Sequence, residues 1–270
     1  MANSADMPLG PIASPLDFTG DLGLGPYAIE TTQRYAYGTR MITWEGKVFK
    51  YGHSLGTLYA GWGAFNGGEL DVSDLINSVT PAAYVAGQRE ITVTIAATEG
   101  YASDGVIAKD ELVGAHIVIE HSVDHGTEGR TVVGNTAVAS GGGTTTLTLD
   151  WPLALAHAAG VPCELPFNPY RYLVGGGGEY ASVMVVTNVY TTTGYNFWGQ
   201  SWGPCWCVPG GSTRPGDTAY DRSVYFFTNG SVGGATHVTV ENGNQLAGFS
   251  IDATETGTEN MPMVMLQISI

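Results

Sequence analysis

Residues Leu112 to Val174 read LVGAHIVIEHSVDHGTEGRTVVGNTAVASGGGTTTLTLDWPLALAHAAGVPCELPFNPYRYLV, and their periodicity decides the fold class. Ile117 and Ile119 alternate with His116, Val118 and Glu120, the period of two that buries one face of a strand. Thr144 to Trp151 repeats the pattern: Leu147, Leu149 and Trp151 fall on one side, Thr146, Thr148 and Asp150 on the other. Its threonines are stiff at χ1 and suit a pleated surface. Asp150 and Pro152 then open a short Ala-rich turn of helix, LALAHAA, that Gly160 can close. Val161, Cys163 and Leu165 alternate again, and Asn168-Pro169-Tyr170 ends the run in a turn.

The same grammar extends outward. Upstream, Ile91, Val93 and Ile95 alternate with Thr92 and Thr94. Arg40 to Trp44 and Lys47 to Tyr51 flank Glu45-Gly46, whose glycine can supply the positive φ of a tight hairpin. Glu69 to Ser78 is a helix candidate, with Val72, Leu75 and Ile76 as one short apolar stripe. Downstream, strands are expected at Val183–Val189, Tyr195–Trp202, Val224–Thr228, Val238–Glu241 and Val264–Ile270. Asn229-Gly230 is a two-residue hairpin signal. The last strand places Val264, Leu266, Ile268 and Ile270 on one face. The expected architecture is therefore mainly β: antiparallel sandwich or barrel-like subdomains, an extended N-terminal arm, and helix only near Glu69–Ser78 and Leu153–Ala159. The four glycines Gly175 to Gly178 divide the folded part into residues 34–174 and 179–270, because such a run has no side chain to pack.

Residues 1–33 form the arm. Pro8, Pro11, Pro15 and Pro26 with four glycines forbid a long regular element. Yet Leu9, Ile12, Leu16, Phe18 and Leu22 are too apolar for a merely solvated tail. An arm laid across a neighbouring subunit is the favoured reading, a floppy terminus the other.

Composition narrows the function. With 270 residues and 43% apolar content the chain can bury a sizeable core. Charged residues are only 13%, against roughly 25% in ordinary soluble domains, so much of the surface is Gly, Thr, Ser, Asn and backbone. That composition is common where surface ends against another subunit. The net charge of −15 disfavours nucleic acid, whose phosphates need clustered Lys and Arg. Three cysteines make no disulfide framework, and neither a secretory signal nor a membrane-spanning apolar run is expected. Synthesis in a reducing cytoplasm follows as an expectation.

Catalytic and metal-binding motifs are weak. His121, Asp124 and His125 share a glycine-bearing loop that imposes no ligand geometry. Cys205-Trp206-Cys207 lacks the CxxC spacing and reads as two buried structural thiols. Gly52-His53-Ser54-Leu55-Gly56 has the letters of a nucleophile elbow but no helix pattern after it. No enzymatic activity and no cofactor are expected. Trp198 and Trp202 share a strand face, and Trp206 follows if no bulge intervenes. Such a stripe is equally a partner or sugar platform and a packed core.

Several blocks together resemble a family of tailed-bacteriophage virion proteins encoded beside the major capsid protein. They are Gly38 to Gly61, GTRMITWEGKVFKYGHSLGTLYAG; Gly129-Arg130 leading to Asn135-Thr136-Ala137; TLTLDWPLALA from Thr146; the strand ending in Asn168-Pro169-Tyr170; and TGYNFWGQSWGP from Thr193 to Pro204. The resemblance covers most of the chain from about Arg34 and rests on block order and spacing. It implies a minor capsid, decoration or cement protein that binds the major capsid protein on the outer surface of the head and associates with itself as a homotrimer. The apolar arm residues with Trp198 and Trp202 are the expected partner contacts. The alternative is a carbohydrate-binding β-sandwich on a virion or cell surface.

Overall fold

Alternating apolar and β-branched residues build strands along the whole chain. The computed structural model describes residues 25–67, 76–80, 82–120, 127–176, 181–210, 215, 222–234, 245–252 and 262–269. In chain order the strands are β1 (Ile29–Glu30), β2 (Arg40–Ile42), β3 (Val48–His53), β4 (Gly63–Asn66), β5 (Ile76–Val79) and β6 (Glu90–Ile95). They continue with β7 (His116–Glu120), β8 (Thr127–Asn135), β9 (Gly143–Leu149), β10 (Pro162–Leu165), β11 (Leu173–Gly175) and β12 (Val183–Thr187). The last are β13 (Asn196–Trp206), β14 (Ser223–Phe226), β15 (Val232–Gly234), β16 (Leu246–Ser250) and β17 (Met263–Gln267). There is no α-helix among the described residues. The fold is mainly β, with two curled antiparallel sheets.

The chain divides into two units, one of residues Gly68–Pro169, the other contributed by the segments before and after it. The first holds a six-stranded sheet in the order β5-β10-β7-β8-β9-β6, every neighbouring pair antiparallel. It curls until its edge strands β5 and β6 approach each other. Ile91, Val93, Ile95, Ile117, Ile119, Leu147, Leu149, Val161, Cys163 and Leu165 are all buried, as the period of two requires.

In the second unit the sheet runs β11-β4-β12-β13-β17-β16-β14-β15, with β1 and β3 also on β13 and β2 on β3. β13 is its hub, and its first half is buried on both faces. Phe197 packs with Leu58, Ala64, Leu173 and Val185, while Trp198 packs with Met41, Phe49 and Tyr51.

Both expected hairpins form, with one shared refinement. In each, the first residue of a five-residue stretch bonds the last: Thr43 N–H to Lys47 O at 2.9 Å, and Phe227 N–H to Ser231 O at 2.8 Å. Gly46 (φ +82°) and Gly230 (φ +87°) occupy the left-handed position that ends such a three-residue loop, so Asn229-Gly230 is not a two-residue turn.

Other expectations need correction. Leu153–Ala159 is not a helix, because its backbone bonds elsewhere. Leu153 N–H donates to Gln88 O, His157 exchanges bonds with Tyr84, and the Ala154 and Leu155 amides donate to the Glu128 carboxylate. Of Glu69–Ser78, residues 69–75 lie outside the described part, and Ile76–Val79 is a strand on Pro162–Leu165. Trp151 is 71% exposed rather than aligned with Leu149, since the Asp150 carboxylate takes the Thr131 and Trp151 amides and ends the strand. Nor does the Gly175–Gly178 run separate the units. Gly175 belongs to β11, paired with Ala64, where a side chain would meet Thr57 O at 2.8 Å. Finally, Ile29–Glu30 of the expected arm is a strand of the second unit, and the Val238–Glu241 strand lies outside the described residues.

Candidate interaction face

The tryptophan stripe is broken by a bulge. β13 pairs with β3 in register up to Gln200↔Phe49, then resumes at Trp202↔Val48. The extra residue reverses the alternation. The Gln200 amide fixes the distortion by donating to the carbonyls of Trp202, Gly203 and Pro204 at 3.1, 3.2 and 2.9 Å. Before the bulge Trp198 is 2% exposed, in a nest of Tyr35, Tyr51 and Trp198 rings with centroids 5.1 to 5.3 Å apart. After it Trp202 is half-buried and Trp206 is 52% exposed. The structure therefore separates Trp198, a core residue, from Trp202.

Trp202 and Trp206 belong to a larger surface. Along it Pro204 lies opposite Met265, and Met265 opposite Phe249. In the next row Trp206 faces Met263, whose carbonyl accepts the Ile251 amide at 2.9 Å. Phe249 and Ile251 are 42% and 47% exposed, and both methionines are half-buried. The intervening residues Cys205, Val264, Leu266 and Val224 point the other way into a closed core. One side of an antiparallel sheet is ordinarily polar when it faces water. Among the described positions of these rows only Gln267 and Ser223 are polar and none is charged; Asp252, whose carboxylate takes the Met263 amide at 3.2 Å, borders them.

Such a face suits another protein. Tryptophan and methionine offer large, polarisable, adaptable contact area, and the lack of charge removes the desolvation cost of burying ions. Part of this was legible in the sequence. The alternation that buries Val264 and Leu266 also turns Met263 and Met265 outward. Phe249 and Ile251 carried no signal of their own.

Neither protein-family models, curated proteins nor solved structures give a match to this chain.

The remaining sequence candidates fall as follows. Leu9, Ile12, Leu16, Phe18 and Leu22, with His121, Asp124 and His125, lie outside the described residues. Cys205 and Cys207 are buried free thiols. The hydrogen bond to Cys205, and burial after it, push the Cys207 thiol well above its usual range, away from the thiolate that reactivity requires. Ser54 is buried, its hydroxyl donates to Gly56 O, and bends rather than a helix follow it. His53 beside it lies with Nδ1 3.2 Å from Arg171 O. That is not the strand–turn–helix setting of a nucleophile elbow. Among the described residues no cluster of three His, Cys, Asp or Glu could hold a metal.

Proposed function

We propose that this chain is a structural virion protein: a decoration or cement subunit that seats on the outer surface of a phage head and stabilises the shell. The observation that carries this is the uncharged face running from Trp202 and Trp206 to Phe249 and Ile251. A chain of net charge −15 whose described rows on one sheet face carry no charge has a surface suited to close protein contact. The block-by-block resemblance to capsid-associated proteins supplies the partner, the major capsid protein, and self-association as a homotrimer.

The chain would act by mass action. Binding the assembled shell more tightly than free capsid subunits stabilises the assembled state by the difference in affinity. Trp206 and Phe249 are the anchors, because buried aromatic side chains dominate such interfaces.

The test is co-sedimentation of the purified chain with undecorated shells, followed by thermal disruption of the particles. Trp206→Glu should weaken shell binding by about 30-fold, the effect of losing one anchor worth about 2 kcal/mol. It should leave the chain's own melting temperature within a few degrees, since Trp206 is already half in water. Failure of the wild-type chain to sediment with shells, or equal binding by the variant, would reject the reading.

A further inference from the structure

A second feature lies in the same unit and owes nothing to the interaction face. Thr57, Tyr59, Trp62, Gly175, Thr187 and Asn229 are among the residues enclosing a cavity of about 240 Å³. Its construction is specific. Leu58 and Thr191 exchange backbone hydrogen bonds at 2.9 Å, bringing the Tyr59 and Tyr190 segments side by side. Tyr59 to Trp62 is a turn closed by Trp62 N–H to Tyr59 O, with Gly61 (φ +79°) where a type II turn demands a left-handed residue. The fully buried Thr187 hydroxyl holds the turn from inside by bonding the carbonyls of Tyr59 and Trp62.

The opposite wall is the β14–β15 hairpin. Gly63 N–H donates to Gly230 O at 2.8 Å, a backbone approach so close that a Cβ on Gly230 would stand 2.4 Å from Gly63 O. This contact sets Asn229 at the cavity. Its Oδ1 accepts both the amide (3.0 Å) and the hydroxyl (2.7 Å) of Ser231. The amide orientation is thereby fixed, and the Nδ2 hydrogens have no acceptor among the described residues. Tyr59 and Tyr190 are 59% and 52% exposed and meet edge to face at 5.7 Å.

We propose that this cavity binds a single pyranose ring of a neutral sugar. The chemistry decides between ligand classes. Among the described residues no lining side chain is charged, so phosphates and carboxylates find no cation there, and the chain's −15 repels them. The described lining likewise holds no carboxylate, imidazole or thiol for a metal. What it does offer is aromatic surface beside a few fixed polar groups. The apolar C–H face of a pyranose packs on the Tyr59 and Trp62 rings, while its hydroxyls meet the Asn229 amide and the Thr57 hydroxyl. The volume admits one ring and excludes a folded oligosaccharide, so any longer chain must leave the cavity for solvent.

Saturation-transfer NMR on the full chain tests this, with glucose, galactose, mannose and N-acetylglucosamine each as probe at about 10 mM, the range expected for one stacked ring. At least one sugar should receive saturation on its ring protons. Tyr59→Ala and Asn229→Ala should each weaken that binding about tenfold, Tyr59→Phe should retain most of it, and Trp44→Ala, outside the lining, should leave it unchanged. Tyr59 is exposed, so its variants test the site without threatening the fold. The proposal is overturned if none of the four sugars receives saturation, or if the signal survives both alanine substitutions; a protein side chain would then be the occupant to seek. No shell is present in this experiment, so its outcome is independent of the decoration role.

Discussion

Glu128 shows how one residue can hold a loop that propensity alone would have made helical. Its buried carboxylate accepts the amides of Ala154 (2.5 Å) and Leu155 (3.2 Å), meets His157 Nε2 at 3.0 Å, and pairs with Arg130. Burial by itself raises the pKa of this carboxyl. The hydrogen bonds from Ala154, His157 and Leu155, with the Arg130 charge, outweigh burial and hold it below the ordinary value of 4.5. A pKa lower in the folded than in the unfolded chain means that unfolding takes up a proton in acid. The resulting stability is therefore fully present above about pH 4.5 and is lost as pH falls through the folded value. Glu128→Gln should lower stability at about pH 7 by roughly 1–3 kcal/mol, since a buried acceptor set is only half replaced. It should also flatten the decline in melting temperature between about pH 6 and pH 3 relative to wild type. Calorimetric melts of both proteins across that range check it; parallel pH profiles would refute the assignment. At Trp198 the opposite happens, for its buried indole N–H finds no acceptor among the described residues. Packing against Tyr51 and Phe49 evidently outweighs that loss.

Among the elements, the two glycine-ended hairpins offer a controlled comparison. Gly46 and Gly230 have nearly the same φ, and each ends a three-residue loop. Around Gly46 a Cβ would meet nothing within 4 Å, whereas at Gly230 it would collide with the backbone of Gly63. Gly46→Ala should therefore cost only the left-handed penalty, about 1–2 kcal/mol. Gly230→Ala should cost measurably more, about 3 kcal/mol, because a backbone hydrogen bond must also give way. Urea unfolding of the two variants settles the order, and equal losses would show that the Gly63–Gly230 contact is not needed. Both hairpins were legible from sequence, because a turn is written in four or five adjacent residues. The bulge at β13 was not. It depends on Gln200 reaching three carbonyls, which no alternation of apolar residues announces. That single insertion decides which tryptophans face water.

For the whole molecule, the chain's first residues provide the remaining test. The expected arm, residues 1–33, overlaps the folded unit: Glu30 accepts the Tyr51 hydroxyl at 2.9 Å, pairs with Arg34, and its carbonyl takes the Asn196 amide at 3.3 Å. Removing residues 1–24 should leave the melting temperature close to wild type and abolish docking on shells, whereas removing residues 1–33 should also destabilise the chain, by about 2 kcal/mol for the lost buried bonds. Thermal melts with shell co-sedimentation separate the two, and normal shell binding by the shorter truncation would end the arm's proposed role. By itself the sequence determined the fold class, the positions of most strands and their buried faces, and the turn glycines, since period-two alternation and turn chemistry act between near neighbours. Only the tertiary structure decided the rest. Residues 68–169 form a unit set within the segments of the other, because Leu173–Gly175 pairs with residues more than a hundred positions earlier. Leu153–Ala159 gave up its helix because Glu128, Tyr84 and Gln88 took its hydrogen bonds. The Tyr59 cavity exists because Gly63, Thr187 and Gly230 meet. Each of these is a hydrogen bond between residues far apart in the chain, and such pairings leave no trace in local periodicity.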